Sequence, residues 1–275
     1  MSPVLNAVPE KPAVATRPDI SHVVFDFDGT LSWLRHGWPE MMAGLFLKEI
    51  PGAAAIESTP IHDLLLREIL ALNGKSSIYQ MQRCAELVRE HGGPALDPNQ
   101  KLEEYQSVLL EAVRERTEKI KRGEVNPDEY TVHGARPLLQ KLRDRGLVLI
   151  ILSGTIESHV RGEAELLKIA PFFGEHIYGS TANLQQSSKK AVIARLLRQE
   201  SIPGERLLSF GDGPVEIRLT KEAGGLAVGV ASDEDQNGSG RLHPQKAPQL
   251  LEAGADLLIP DYRDPDNLVA SLLGS

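Results

Sequence analysis

The chain is short of cysteine, of positive charge and of long apolar runs. Cys84 is the one cysteine among 275 residues. That excludes an intramolecular disulfide and a cysteine-rich metal cluster, fits a reducing compartment, and makes a cytoplasmic location the expectation. Lys and Arg number 30 against 38 Asp and Glu, a formal net charge of -8. Broad adhesion to nucleic acid or to an anionic membrane needs clustered positive charge, so neither is expected as a partner. An anionic substrate must instead be met by a local site. No apolar stretch reaches the roughly 18 residues of a spanning helix, and no repeat of fixed period is present. The opening "MSPVLNAVPEKPAVATRPD", Met1 to Asp19, lacks the basic start and continuous apolar centre of a secretory signal. Residues 1–20 therefore read as a flexible tail outside the fold.

What remains is ordinary for a soluble globular protein, 41% hydrophobic and 25% charged, in a length that suits one large domain or a domain with an insertion. One stretch departs from the ordinary. In "VVFDFDGTLS", Val23 to Ser32, an apolar run suited to a buried strand ends in two carboxylates two residues apart and breaks at a glycine. A strand carries residues i and i+2 on one face, so Asp26 and Asp28 are expected to point the same way. Like charges near the end of a buried strand repel and are poorly solvated; a cation or a shared proton must make them tolerable.

After this strand, apolar residues recur at three- and four-residue spacing in "PEMMAGLFLKEI", "IHDLLLREILALNG", "SSIYQMQRCAELVREHGG" and "KLEEYQSVLLEAVRERTEKIKRG", which predicts a helical block. From Tyr130 onward helix and strand alternate. Helices are expected in "ARPLLQKLRDRG", "SHVRGEAELLKIA", "KKAVIARLLRQE", "PVEIRLTKEAGG" and near "DNLVASLL"; strands in "LVLIILSG", "HIYGS", "RLLSFGDG", "LAVGVA" and "ADLLIP". This alternation implies an α/β fold, a doubly wound parallel sheet with helices on both faces. The isolated opening strand satisfies its backbone by joining that sheet. The core is thus expected at residues 21–33 and 128–275, with residues 34–127 as an inserted helical domain. Ala231 to Pro248, polar and rich in breakers, reads as a mobile surface loop.

Open parallel sheets gather their active sites at the carboxyl ends of the strands. The first strand ends in Asp26, Asp28, Gly29 and Thr30, a second in Ser153, Gly154 and Thr155, and a third in Asp212, with Glu216 one helical turn later. Lys189 and Lys190 open a helix between the last two. Asp26, Asp212 and a main-chain carbonyl near Asp28 are oxygen donors suited to a hard cation such as Mg2+. A carboxylate can be a nucleophile, forming an acyl phosphate, which makes Asp26 the candidate. A second acid two residues on, Asp28, can protonate a leaving alkoxide and then deprotonate water. Ser153 or Thr155, with nearby main-chain N–H groups, can hold phosphoryl oxygens, and a lysine can neutralise the charge that the metal does not.

Taken in order, "DFDGTLS" (Asp26 to Ser32), "LSGT" (Leu152 to Thr155), a lysine opening a helix and "GDGPVE" (Gly211 to Glu216) resemble the four motifs of the haloacid dehalogenase superfamily of phosphohydrolases. The resemblance covers roughly His22 to Ser32 and Asp128 to Asp261. It implies a Rossmann-like core with Asp26 as nucleophile, Asp28 as acid/base and main-chain metal ligand, Asp212 as a Mg2+ ligand and Ser153 as a phosphate-binding residue. Glu216 falls where the superfamily has Asp or Glu, and is implied to bind or orient the metal shell. Thr30, Gly154 and Thr155, at the same strand ends, are grouped with the phosphate-binding residues. Lys189, followed by Val192, Ile193 and Leu196, is the better fit to the motif lysine, with Lys190 as the alternative. The insertion point resembles that of superfamily members whose helical cap closes over the site and excludes water.

The dehalogenase branch of the superfamily lacks the second aspartate and its phosphonate-cleaving branch depends on a cap lysine, so Asp28 favours phosphate ester hydrolysis. The expectation is a Mg2+-dependent phosphomonoesterase acting on a small phosphorylated metabolite, a sugar phosphate or a phosphoglycolate-like compound. A phosphomutase is similar in all four motifs, and a non-catalytic phosphate-binding protein is the alternative of another class. "GKSS", Gly74 to Ser77, fails as a phosphate loop because Ile69 stands where a glycine is required. His133 and His243 lack paired ligand spacing and read as surface histidines. Arg35, His36 and Trp38 either face the substrate or form a hinge. The loop His91 to Pro98 is either substrate-facing or a plain connector.

Overall fold

Strand β1, His22–Phe25, is buried at every residue, as its apolar run requires. The computed structural model describes residues 15–53, 60–73, 75–181, 189–199 and 202–274. Residues 1–14 of the expected tail and Gly74 of "GKSS" lie outside the described residues. The tail reading does not hold for residues 15–20. There the Arg17 N–H donates to the Leu272 carbonyl at 2.8 Å, its guanidinium donates to the Gly224 carbonyl at 2.8 Å, and Ile20 is buried. These long-range anchors could not be read from local composition.

After β1 the chain enters four helices, α1 (Trp38–Leu47), α2 (Pro60–Ala71), α3 (Ser77–Glu90) and α4 (Pro98–Lys121). Their apolar stripes meet in a cluster of their own that includes Met42, Phe46, Leu65, Ile69, Met81 and Val88. Each such side chain contributes roughly 1.5–3 kcal/mol when fully buried. The outgoing and returning segments run side by side as a stem. The Val132 N–H donates to the Leu31 carbonyl and the Trp33 N–H to the Tyr130 carbonyl, both at 2.8 Å. Arg116 of α4 holds the outgoing segment by donating to the carbonyls of Leu34 and His36 at 2.6 and 3.1 Å.

The returning chain alternates as its sequence pattern predicts: α5 (Ala135–Asp144), β2 (Val148–Ile156), α6 (Glu157–Leu166), β3 (Ile177–Ser180), α7 (Lys189–Gln199), β4 (Leu207–Gly211), α8 (Pro214–Glu222) and β5 (Leu226–Val230). It ends with α9 (Lys246–Glu252), β6 (Leu257–Ile259) and α10 (Pro265–Leu273). Among the described residues these strands form one parallel sheet in the order β3-β2-β1-β4-β5-β6. Val23 and Phe25 face a core shared with α5, α6 and α10. Val24 faces the opposite side, with Val192 and Ile193 of α7. The Phe25 and Phe210 rings stack at 4.9 Å across β1 and β4. No described helix is long and apolar enough to cross a membrane.

Candidate active site

The sheet grows one way from β1 through β2 to β3, and the other way from β4 through β5 to β6. Its topological switch point therefore lies between the neighbouring strands β1 and β4, where a crevice opens outside their carboxyl ends. Asp26 follows β1 directly, and its N–H donates to the Phe210 carbonyl at 2.9 Å. Asp212 follows β4 directly. Both carboxylates are buried, at 7% and 4% exposure. Extended pairing stops at Phe25, and the chain then turns on Phe27, whose carbonyl accepts from Leu31 and Ser32 at 2.8 Å. Asp26 and Asp28 lie near enough for their charges to repel, and each carboxylate meets a different cation.

Lys189 Nζ lies 2.9 Å from Asp26 Oδ1 and also contacts Glu216. Lys246 Nζ lies 3.0 Å from Asp212 Oδ2 and also contacts Glu234. Arg35 donates to Asp28 Oδ1 at 2.8 Å and to Glu163 Oε1 at 2.7 Å, with a further contact to Glu163 Oε2. Six carboxylates share three cations, and each cation bridges two carboxylates. The cluster therefore carries excess negative charge in a poorly solvated place. Burial pushes Asp26 up to about 6 against the pull of Lys189, with Asp212 and Asp28 adding repulsion. Burial also raises Asp212, Lys246 opposes it, and Glu234 adds to the rise. For Lys246 burial works against the charge, yet Glu234 and Asp212 outweigh it and hold the ammonium above its ordinary value.

This donor set suits a hard divalent cation in two respects. Its ligands are all oxygen, and the excess negative charge is what a divalent ion would offset. Glu216 Oε1 sits on Lys189, and its other oxygen, Oε2, is buried with no hydrogen-bond partner, which leaves it capacity to coordinate. Among the described residues no three His, Cys, Asp or Glu side chains form a preformed cage. The fit rests on Asp26, Asp212 and a main-chain carbonyl, with Glu216 held on Lys189.

The other expected residues divide. The Thr155 hydroxyl donates to Asp28 Oδ2 at 2.8 Å, and the buried Ser153 hydroxyl accepts from the Thr155 N–H at 3.0 Å. Gly154 is exposed at the same strand end. Thr30 is wholly buried, its hydroxyl without a hydrogen-bond partner. Lys190 is not brought to the cluster; it is exposed and lies 3.8 Å from Glu222. Successive helical residues point about 100° apart, so one of the two lysines faces the strand ends and the other faces solvent. His133 is exposed as expected, whereas His243 is half-buried, its ring accepting from the Lys246 N–H at 3.3 Å. His36 stacks on Trp33 at 3.7 Å, and Trp38 packs against the helical insert. In the loop His91 to Pro98, Asp97 caps α4 by accepting from the Asn99 N–H at 2.9 Å.

Sequence reasoning misses Lys246, Glu234, Glu163, Asn73 and Tyr105. Ala231 to Pro248 is irregular as far as residue 245, as expected of a surface loop, but Ser232 and Glu234 within it are buried, and a helix begins at the buried Lys246. The available signal was position: "ASDE" follows the carboxyl end of β5, where sites gather. Besides Arg35, Asn73 reaches the cluster from the insert. Asn73 Nδ2 donates to Asp212 Oδ1 at 3.2 Å. Tyr105 of α4 is buried; burial pushes its phenol up, and the charges of Arg35, Asp28 and Glu234 also act on it.

Gly29 fixes the approach of the turn to Asp212. Its φ is +71°, and a Cβ there would overlap the Asp212 carboxylate. Gly29→Ala is expected to displace that carboxylate and to lower stability by about 1–2 kcal/mol from backbone strain alone. Thermal unfolding checks this, and an unchanged melting temperature would refute the close approach.

The family model of haloacid dehalogenase-like hydrolases matches residues 20–224, and the chain belongs to that family. No curated protein matches the chain in sequence. Among solved structures, a haloacid dehalogenase-like protein of unknown function from Agrobacterium tumefaciens str. C58 is similar with a TM-score of 0.63 at 16% identity, over 92% of this chain and 98% of that one. A predicted phosphoglycolate phosphatase from Haemophilus somnus 129PT gives 0.58 at 15%, over 91% and 98%. A family hydrolase from Deinococcus radiodurans R1, with bound phosphate and sodium, gives 0.57 at 15%, over 94% and 100%. At these identities the likeness is one of fold.

Proposed function

We propose that the protein is a Mg2+-dependent phosphomonoesterase that hydrolyses a small phosphorylated metabolite through an aspartyl phosphate at Asp26. The observation that carries this reading is the Asp26 carboxylate at the switch point, 2.9 Å from Lys189 and next but one to Asp28. An Asp26 oxygen attacks phosphorus, the ester P–O bond breaks, and Asp28 gives its proton to the departing alkoxide. Asp28 then takes a proton from the water that attacks the acyl phosphate, which releases inorganic phosphate and restores Asp26. Thr155 holds one Asp28 oxygen and Arg35 the other, so the acid is aimed before substrate arrives. Ser153 accepts from the Thr155 N–H and keeps its own O–H to donate to a phosphoryl oxygen. Lys189 offsets charge on Asp26 and on the transferring group. Asp26, Asp212 and the Asp28 carbonyl would hold Mg2+, which supplies positive charge to the phosphate oxygens.

The substrate we assign is a sugar phosphate or a phosphoglycolate-like compound. The helical insert acts as a cap, with Asn73 donating to Asp212 at the end of β4, which favours a small molecule. The net charge of -8 disfavours nucleic acid. The neighbours add two supports: the Haemophilus protein is described as a predicted phosphoglycolate phosphatase, and the Deinococcus protein holds phosphate.

The test is phosphate release from a panel of phosphorylated sugars, polyols, short acids, amino acids and nucleotides, with Mg2+ and with chelator. Release from short acids or sugars that chelator abolishes is the expected result. Metal-independent release, or no release from any compound by the folded protein, would overturn the reading.

A further inference from the structure

Lys246 is 1% exposed, and burying an ammonium costs several kcal/mol unless its partners repay it. Those partners are Asp212 Oδ2 at 3.0 Å, the Ser232 hydroxyl at 3.3 Å and Glu234. The other Asp212 oxygen, Oδ1, accepts from Asn73. Both oxygens of this carboxylate are thus engaged by the chain's own donors. Glu234 is itself shared, because its Oε2 accepts from the Gly37 N–H at 3.0 Å, at the start of α1. Lys189 already serves Asp26 and Glu216, so Lys246 is a second buried lysine in the site with a different carboxylate.

We infer that Lys246 is the internal counter-ion of Asp212, and that the Lys246–Glu234 pair sets how tightly the site takes a divalent cation. The inference rests on the reading of Asp212 as a metal ligand. A cation approaching Asp212 meets a carboxylate whose charge the ammonium partly cancels, and it is repelled by that ammonium. Glu234 draws the ammonium's charge toward itself and relieves the repulsion. The two partners therefore act in opposite directions: without Lys246 the site holds two uncompensated carboxylates, and without the Glu234 charge Lys246 acts wholly on Asp212. A positive charge within a few ångströms changes the occupancy of an ionic site by about tenfold or more.

The test is binding of Mn2+ to the full chain, with free ion counted by electron paramagnetic resonance, since Mn2+ shares the oxygen-ligand preference of Mg2+. Asp212→Asn is expected to lose the ion. Lys246→Met is expected to bind it about tenfold tighter than wild type and Glu234→Gln about tenfold weaker. If Asp212→Asn loses Mn2+ while both other variants bind as wild type does, the counter-ion role is overturned and the metal reading stands. Weaker binding by Lys246→Met overturns it too, and marks the lysine as a residue that orients Asp212. Wild-type affinity in Asp212→Asn overturns both readings. Should Lys246→Met fail to fold, Glu234→Gln decides: weaker binding supports the counter-ion role, and equal or tighter binding refutes it.

Discussion

Replacing Asp26 by asparagine is expected to abolish phosphate release and, in the metal-free protein, to raise the melting temperature. The first effect follows from the loss of the attacking oxygen anion. The second follows from burial, which lifts Asp26 from 3.8 to about 6 even though Lys189 pulls the other way. Net of that attraction, the charged form is disfavoured in the folded chain. The sign is fixed by linkage: the folded state holds this proton more tightly than the unfolded state does. The contribution of Asp26 to stability is therefore greatest below pH 3.8 and is lost as pH rises through about 6. The gap corresponds to on the order of 3 kcal/mol, or several degrees in melting temperature for a chain of this size. Thermal unfolding of wild type and Asp26→Asn in chelator from pH 4 to 7 measures it. The wild-type curve should fall relative to the variant between pH 4 and 6 and run parallel above. A variant less stable than wild type at pH 7 would mean that Lys189 more than compensates the buried charge.

The same cluster explains what could be read from sequence. Asp26 and Asp212 were legible because each ends a short apolar run, and the strand-end rule names such residues wherever they fall. Lys189 was legible because Val192 and Ile193 set the buried face of its helix. Lys246 offered no comparable signal. Its helix, Lys246–Glu252, has seven residues, too few for periodicity to stand out, and it follows a stretch dense in Gly, Pro and Asp. Glu163 sits mid-helix, where an acid ordinarily faces solvent, and it is buried on Arg35, 128 residues away in sequence. That Asp26 and Asp28 take different cations has a related reason. Alternation holds only while the chain is extended, and the turn on Phe27 ends the strand one residue before the first carboxylate. Local pattern thus reports the scaffold and the residues at its ends. Ion partners are chosen by tertiary approach.

Arg35 carries the last large effect. Its guanidinium is buried between Asp28 and Glu163; burial disfavours its charge, and the two carboxylates more than restore it. Burial raises Glu163, and Arg35 opposes the rise. Arg35→Met would strand Glu163 in a site built around its counter-ion, and removing one partner of a buried pair costs about 3–5 kcal/mol. Asp28 adds less, because its side chain is 22% exposed and keeps the Thr155 hydroxyl as a donor. The destabilisation should therefore be reversed in part by a second change, Glu163→Gln, which removes the stranded charge. Chemical denaturation of wild type, both single variants and the double variant measures the coupling. A double variant no more stable than Arg35→Met would show that lost packing, not the unpaired carboxylate, is the source. Catalysis should respond differently. An amide in place of the Glu163 carboxylate cannot restore the hold on Asp28, so phosphate release in the double variant should stay lowered, by up to the ~10²- to 10⁴-fold that a positioned acid/base supplies. Recovery of stability without recovery of kcat would separate the two jobs of Arg35, neutralising Glu163 and aiming Asp28.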